Sequence, residues 1–501
     1  MSTAETPSSL TRIVVRGVGL AGAGHGLTQA LSLAAYLALA RLATPHEFGE
    51  LAAGSILTGL GLLVSESGML AALVQRRDRV EEAASTALVA TVGGGVLLSL
   101  LALALSPVVG IYFRSDEIGW VAAAMSGYVA LRQTMVVPDA LMQRRFSFVR
   151  RVVLEPVGAI AFGAVAIATT AVGLGVWGLV IGTYAGVLAQ VALSWSLVRW
   201  RPQRRLVSVA MWRELARYGR HVLASEGIRI GHAEIRAALI GRFLSAAALG
   251  QFGYALRVAV QPVGIMVNAI SYVLMPALAR ISDDEERFRG AVLRALRWMA
   301  VIAFPTSLIL FALGEPLTVL VFGDEWRPAG RAVAAMCAFS AGSVVVSLAS
   351  ETWKAAGQPQ WLPKVHTVGA VLGIGLAAAT VPFGLTAVGA SLSATAVLTT
   401  GYALVGVSRV IRAPMSQLAA ALWPPLTAAI VGTAAVFALE RHVRADQHAT
   451  AAGLALAALE AAVGLAIYVA VLTALAPATG RKLAGTVVRV CLRRAGQARK
   501  V

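Results

Sequence analysis

The sequence predicts an all-α membrane protein of about fourteen transmembrane helices, and three observations carry that prediction. The 501 residues are 58% hydrophobic and only 14% charged, against roughly 25% charged in soluble domains. The apolar runs are spread along the whole chain, which excludes a soluble domain carrying a membrane tail. The 43 basic residues give a net charge of +18, yet they fall in short clusters between the apolar runs, where membrane topology accounts for them. No basic face is left for nucleic acid, so no nucleic-acid partner is expected.

A spanning helix needs about 20 mainly apolar residues. That rule places spans near 18–40, 51–74, 84–106, 118–137, 152–171, 175–198, 219–241, 250–278, 292–313, 329–352, 363–381, 386–408, 417–439 and 450–475. The seventh is the most polar. The start, Met1 to Arg16, carries no small-residue cleavage site after a short apolar run, so the first span reads as an uncleaved helix. Basic residues concentrate in alternate loops: Arg76, Arg77 and Arg79; Arg144, Arg145, Arg150 and Arg151; the run from Arg199 to Arg217; Arg280, Arg287 and Arg289; Lys354 and Lys364; Arg409 and Arg412. By the positive-inside rule these loops and both termini are expected in the cytoplasm, with the chain in the inner (plasma) membrane. The longest loop, 199–218, reads as solvated cytoplasmic surface, with an amphipathic interfacial helix over Met211 to Tyr218 as the other reading. Cys337 lies in an apolar span and Cys491 in a basic tail, so neither a disulfide nor a metal site is expected.

The chain also repeats itself. The stretch from Arg41 to Leu51 matches that from Arg242 to Phe252, with Gly49 opposite Gly250. Pro107 and Phe113 align with Pro316 and Phe322, and Gly173 and Gly178 with Gly384 and Gly389. The offset stays near 200–210 residues, the period of a six-helix unit. An even number of spans gives both copies the same orientation. Parallel repeats imply a pseudo-two-fold axis along the membrane normal and a cleft between two six-helix lobes, the architecture of alternating access. The expected division is a first lobe over 12–200, a cytoplasmic linker over 201–218, a second lobe over 219–412, two further spans over 413–477 and a basic tail over 478–501.

Specific segments carry a family resemblance. ARLATPHEFGELAAG, LLVSESGMLAALVQRRD, ALMQRRFSFVRRVVLEP, ALIGRFLSAAALGQFGYALR, MPALARISDDEE and VLVFGDEWRPA resemble the polysaccharide transporter family. These are lipid-linked oligosaccharide flippases of the multidrug/oligosaccharidyl-lipid/polysaccharide exporter superfamily, and the sequence is most similar to the colanic-acid and teichuronic-acid exporter type. The resemblance implies a V-shaped two-lobe fold that moves a polyprenyl-pyrophosphate-linked oligosaccharide to the outer leaflet. It implies no cofactor, and it names a glycan polymerase and chain-length machinery as candidate partners.

A charge at mid-bilayer usually faces a cavity or a partner, because leaving it in hydrocarbon costs several kcal/mol. The seventh span concentrates such groups. At about 100° per residue, His221, Arg229, His232 and Arg236 share one arc, with Glu226 at its edge and Glu234 projecting elsewhere. A cationic stripe there suits a pyrophosphate, since guanidinium groups bind phosphate bidentately. With Arg132 and Arg257, the residues Arg229, Arg236 and His232 are the substrate-binding candidates. The other reading pairs these charges with one another, Glu226 with Arg229 at i, i+3 in particular. Glu66, Glu226 and His25 are the ion-coupling candidates. Glu66 could instead pair with Arg132, and His25 with a neighbouring helix.

Other functions fit less well. A drug or metabolite/cation antiporter of the same superfamily would favour an acidic or aromatic cavity. A membrane-bound glycan polymerase or ligase needs a long outer loop bearing catalytic groups, and the longest outer loop, 314–328, is short. HExxH, GxSxG and GxxxxGK[ST] signatures are missing, so no catalytic residue and no enzyme activity are expected.

Overall fold

The computed structural model describes residue 24 and residues 26–483, apart from 67–72, 74, 75, 77, 145–152, 199, 449 and 482. Among the described residues every regular element is helical. Two compact units divide the chain, one of residues 1–253 with 377–382 and the other of residues 254–376 with 383–501.

The first unit opens with α1 (Gly26–Leu39), α2 (Pro45–Gly54), α3 (Ile56–Glu66), α4 (Val80–Phe113), α5 (Asp116–Gln133) and α6 (Val136–Arg144). It continues with α7 (Leu154–Ala171), α8 (Val176–Val198), α9 (Val209–Phe243) and the first turns of α10 (Ala246–Ala279). The second unit holds the rest of α10 and α11 (Glu285–Phe322), then α12 (Arg327–Ala335), α13 (Cys337–Ala355), most of α14 (Trp361–Thr380), α15 (Leu385–Val410), α16 (Met415–Val443) and α17 (Thr450–Leu475). Eight helices among the described residues are long and apolar enough to cross a membrane, or nine if the pair 324–335 and 337–355, bent by 44°, is one span. The other expected spans correspond to α1, to α2 with α3, to α5 with α6, and to the more polar α9 and to α10.

Local chemistry explains where these helices begin. Thr44 and Glu47 form a capping box at α2: the Thr44 hydroxyl accepts from Glu47 N at 3.3 Å, and Glu47 Oε2 accepts from Thr44 N at 2.8 Å. Asp284 caps α11 by accepting from Arg287 N at 3.0 Å, so this helix starts earlier than hydropathy alone suggests. Ser208 likewise caps α9. The expected interfacial segment and the seventh span are therefore one continuous helix. Nor is 199–218 simply solvated surface: Met211 and Leu215 are buried among Ala83, Ala84, Val137, Leu141, Leu154 and Val198. Arg76 Nη1 holds Glu214 Oε1 at 2.9 Å beside them, and that hydrogen bond pushes Arg76 above the ordinary arginine range. Hydropathy missed this because a helix that buries only every third or fourth residue on protein has a low average.

The three repeat matches fall on equivalent elements. Phe113 and Phe322 are the last residues of α4 and α11, each six residues after a proline inside the helix. Gly173 and Gly384 both take positive φ, 88° and 93°, where an L side chain is strained. Gly49 and Gly250 are each the fifth residue of α2 and α10, and the two helices cross there. A Cβ on Gly49 would lie 1.7 Å from the carbonyl oxygen of Ala246, and one on Gly250 would lie 2.1 Å from that of Pro45.

Packing inside each unit depends on small residues, as expected where lipid removes the hydrophobic drive between helices. In the first unit, Gly178, Gly182 and Gly186 of α8 lie against Thr170, Ala166 and Gly158 of α7. In the second, Gly432 of α16 meets Gly464 of α17, and Tyr468 OH donates to Val301 O at 2.7 Å. Arg327 is the polar hub of that unit. Its Nη2 reaches Asp324 at 2.7 Å and Asp446 at 3.0 Å, and its Nη1 reaches Glu315 at 3.0 Å. Removing it as Arg327→Ala leaves Asp324 and Asp446 without their cation and Glu315 with Arg331 alone, whereas Arg331→Ala frees one contact to Glu315. We expect Arg327→Ala to cost about 1–2 kcal/mol, between the values for exposed and buried pairs. Thermal unfolding should show a clear drop for this variant and a smaller one for Arg331→Ala.

Candidate functional site

Helix α9 carries the densest set of polar side chains among the apolar helices, and it packs on α2, α3 and α4. Its C-terminal half is clamped: Tyr112 OH donates to Ala238 O at 3.4 Å, the Arg242 guanidinium lies 5.8 Å from the Tyr112 ring centre, and Gly241 admits the Phe113 ring. This clamp fixes the register of the residues one to two turns earlier, where Arg236 and Glu234 lie.

Arg236 is 6% exposed. Its guanidinium sits over the Phe252 ring, 5.5 Å from the centre, and its Nε donor has no hydrogen-bond partner. The nearest acid along α9 is Glu234, two residues earlier. Glu234 in turn leans on α3 at Gly59, where an added Cβ would come within 2.5 Å of Oε1. A glycine at that position is what lets a carboxylate approach the neighbouring helix. A buried guanidinium needs an opposite charge and hydrogen bonds to offset its desolvation. Here the Phe252 ring supplies part of that compensation, and one N–H stays available to an acceptor. Helical spacing separates Glu234 and Arg236 by about 200°, so a wheel places them on different faces. Glu234 accordingly reaches α3 at Gly59, while Arg236 reaches Phe252 on α10.

His232, half-buried and one turn before Arg236, donates from Nδ1 to Ile228 O at 3.0 Å. Arg229 and Glu226 lie on the same helix, where the backbone alone is described; their side chains lie outside the described residues, as does that of Glu66 at the end of α3. His25 lies outside the described residues altogether. Arg132 belongs to another polar station. Its Nη1 donates to Gln190 Oε1 at 2.9 Å and contacts Met135 Sδ at 3.0 Å, while Gln190 packs on Gly158 of α7. Arg257 is half-buried on the portion of α10 that belongs to the second unit.

The structure therefore joins Arg236 to Phe252, Glu234 to Gly59 of α3, and Arg132 to Gln190. Neither Phe252 nor Gln190 is legible as a partner from the sequence. The one signal for such partners is the charge itself, since a buried guanidinium requires compensation from a neighbour. Chemically, the Arg236 station offers a shielded cationic donor suited to an anionic oxygen. Among the described residues, no group of three or more His, Cys, Asp or Glu side chains is placed to hold a metal ion.

Comparison with known proteins sets this arrangement in context. Residues 38–331, more than half of the chain, match the model of a family described as "Polysaccharide biosynthesis protein". The succinoglycan biosynthesis transport protein ExoT of Rhizobium meliloti (strain 1021) is 24% identical over 321 residues, covering 64% of this chain and 65% of its own length. The lipopolysaccharide biosynthesis protein WzxC of Escherichia coli (strain K12) is 25% identical over 308 residues, covering 59% and 61%. The teichuronic acid biosynthesis protein TuaB of Bacillus subtilis (strain 168) is 24% identical over 277 residues, covering 53% and 56%. The chain thus spans less than two thirds of the length of these relatives. Among solved structures, the lipid II flippase MurJ in an inward closed conformation superposes with a TM-score of 0.74 at 12% identity, covering 91% of this chain and 98% of that one. An inward-facing multidrug resistance MATE family transporter of the MOP superfamily gives 0.56 at 12% identity, covering 80% and 95%. At such identities these likenesses report the fold. The chain belongs to the polysaccharide biosynthesis protein family, as a multi-pass, all-helical membrane protein with the fold seen in MurJ and in MATE transporters.

Proposed function

We propose that this protein is a flippase that carries a polyprenyl-pyrophosphate-linked oligosaccharide from the cytoplasmic to the outer leaflet during surface polysaccharide biosynthesis. The observation that carries this reading is Arg236, a buried guanidinium with an unused Nε donor on the most polar long helix of an apolar fold. A pyrophosphate offers the anionic oxygens such a donor needs. The family match, the polysaccharide pathways in the relatives' names and the flippase named for the similar fold support the same cargo.

In this reading fourteen spans form a lobe over 12–200, a second over 219–412 and an appended pair over 413–477. The lobes rock about the cargo in alternating access, with the sugar in a hydrated cleft and the lipid tail in the bilayer. Arg229, His232, Arg132 and Arg257 join Arg236 in binding the head group, and Glu66, Glu226 and His25 couple an ion to the cycle. The cationic character of the Arg236 station favours anionic cargo over the cations moved by an antiporter.

The test uses the purified full chain in vesicles loaded with a fluorescent polyprenyl-pyrophosphate-linked oligosaccharide. Protein-dependent transfer between leaflets is the expected result. Transfer no faster than in protein-free vesicles, with proton-driven movement of a cationic dye instead, would replace the flippase by an antiporter.

A further inference from the structure

The second unit contains a carboxylate for which the transport reading has no use. Helix α17 packs on α16, on α11 and on the turn at 445–447 through one seam: Gly453, Ala457, Glu460, Gly464, Tyr468 and Leu472. Their three- and four-residue spacing makes a buried stripe of small and apolar side chains interrupted by a single acid. Glu460 is the only charged residue of α17, it is 1% exposed, and both of its oxygens lack a hydrogen-bond partner. The residues flanking it on α17, Ala457 and Ala461, pack into apolar clusters with Leu317, Leu320 and Val436.

Gly432 and Val436 of α16 lie against Gly464 of the antiparallel α17, so one turn further along the seam Glu440, one turn before the end of α16, comes level with Glu460 and is its ionisable neighbour. Glu440 already accepts the Ala445 N–H, through Oε1 at 3.2 Å and Oε2 at 3.3 Å. The other charged groups of the packed elements are engaged elsewhere or face outward. Arg441 lies over the Phe437 ring, and His442 and Arg444 are exposed. Asp446 and Glu315 are held by Arg327, and Glu315 also by Arg331. None of the ion pairs among the described residues reaches Glu460.

Two ionised carboxylates with one N–H between them and no cation would be untenable in such a seam, because like charges repel most strongly where water is excluded. One proton removes the conflict: a protonated carboxyl becomes a donor, and its neighbour is the acceptor it needs. We propose that Glu440 and Glu460 form a proton-binding dyad that holds one proton between α16 and α17. No bond other than O–H forms or breaks, and the proton exchanges with water. Glu460 lies ten residues into α17, roughly 15 Å along the helix from Thr450. The dyad is independent of the Arg236 station and does not rest on the flippase reading.

The full chain in lipid nanodiscs tests this by infrared spectroscopy. The wild type should show the C=O stretch of a protonated carboxyl at neutral pH, shifted in heavy water and lost as the pH is raised. The signal should be missing in both Glu460→Gln and Glu440→Gln, so a folding failure in one variant leaves the other to report. The melting temperature of the wild type should fall over the pH range in which the signal disappears, while that of Glu460→Gln stays flat, its amide donating to Glu440 in place of the proton. No such signal in the wild type at any pH at which it stays folded would overturn the proposal. So would its removal by sodium, but not by choline, at constant ionic strength and pH, since the pair would then be a cation site.

Discussion

Replacing Arg236 by alanine is expected to lower export of surface glycan by roughly 10- to 150-fold. That range follows from a charge-assisted hydrogen bond of about 1.5–3 kcal/mol, with tenfold for every 1.4 kcal/mol. The measurement is cell-surface glycan per molecule of protein in cells that depend on the variant. The environment of Arg236 complicates the single substitution, because Glu234 would lose the positive charge that acts on it. Truncating a buried side chain also costs about 2–5 kcal/mol, enough to reduce the amount of protein in the membrane. A double variant, Glu234→Gln with Arg236→Met, removes both charges and keeps the volume. It should restore the protein level and leave export lost. Wild-type export from the double variant would show that the guanidinium only balances Glu234, and the diphosphate-binding role would then fail. Arg236→Lys should fall between the two, since a point charge replaces a planar fork.

Leucine at Gly49 or at Gly250 should be the most damaging change in packing. A Cβ at either position meets backbone, at 1.7 Å and 2.1 Å, rather than the flexible end of a side chain. Overpacking of a core typically costs about 1–3 kcal/mol where side chains can shift. Here α2 and α10 must separate, so each variant should reach the upper end of that range or exceed it, with a large fall in melting temperature. Gly253 is the internal control. It lies on α10 one turn beyond Gly250, and an added Cβ meets nothing within 4 Å. Gly253→Ala should therefore melt at or slightly above the wild type, since alanine is favoured over glycine in a helix by about 1 kcal/mol. Equal melting temperatures for Gly49→Leu and the wild type would contradict the crossing.

Both predictions rest on places where local and tertiary information differ. The glycine at 49 and its counterpart at 250 are legible as a repeat, because a duplicated turn keeps its spacing in the chain. That the two glycines meet each other is not legible, since nothing local specifies which helix a glycine faces. The charges of α9 show the same limit. Their concentration is plain from composition, and so is the need for partners. The helical wheel says only that Glu234 and Arg236 point in different directions, not that they reach Gly59 of α3 and Phe252 of α10. Arg132 is likewise legible as a charge in a span, but its partner Gln190 is 58 residues away on another helix. Glu460 is the sharpest case: one acid in a long apolar run averages out of any hydropathy window, and its burial depends on α11 and α16.

By itself the sequence determined the membrane setting, the all-helical class, the internal repeat and the family resemblance. These follow from hydropathy, charge spacing and turn chemistry, each expressed within about 20 residues of chain. Tertiary structure alone decided that 209–243 is one helix anchored by Met211 and Leu215, that Arg236 lies over Phe252 while Glu234 meets Gly59, and that α16 and α17 bring Glu440 level with Glu460 without a cation. The physical reason is shared by all three. The cost or benefit of a polar group in a membrane protein depends on what lies across the helix interface, and that neighbour comes from a distant part of the chain.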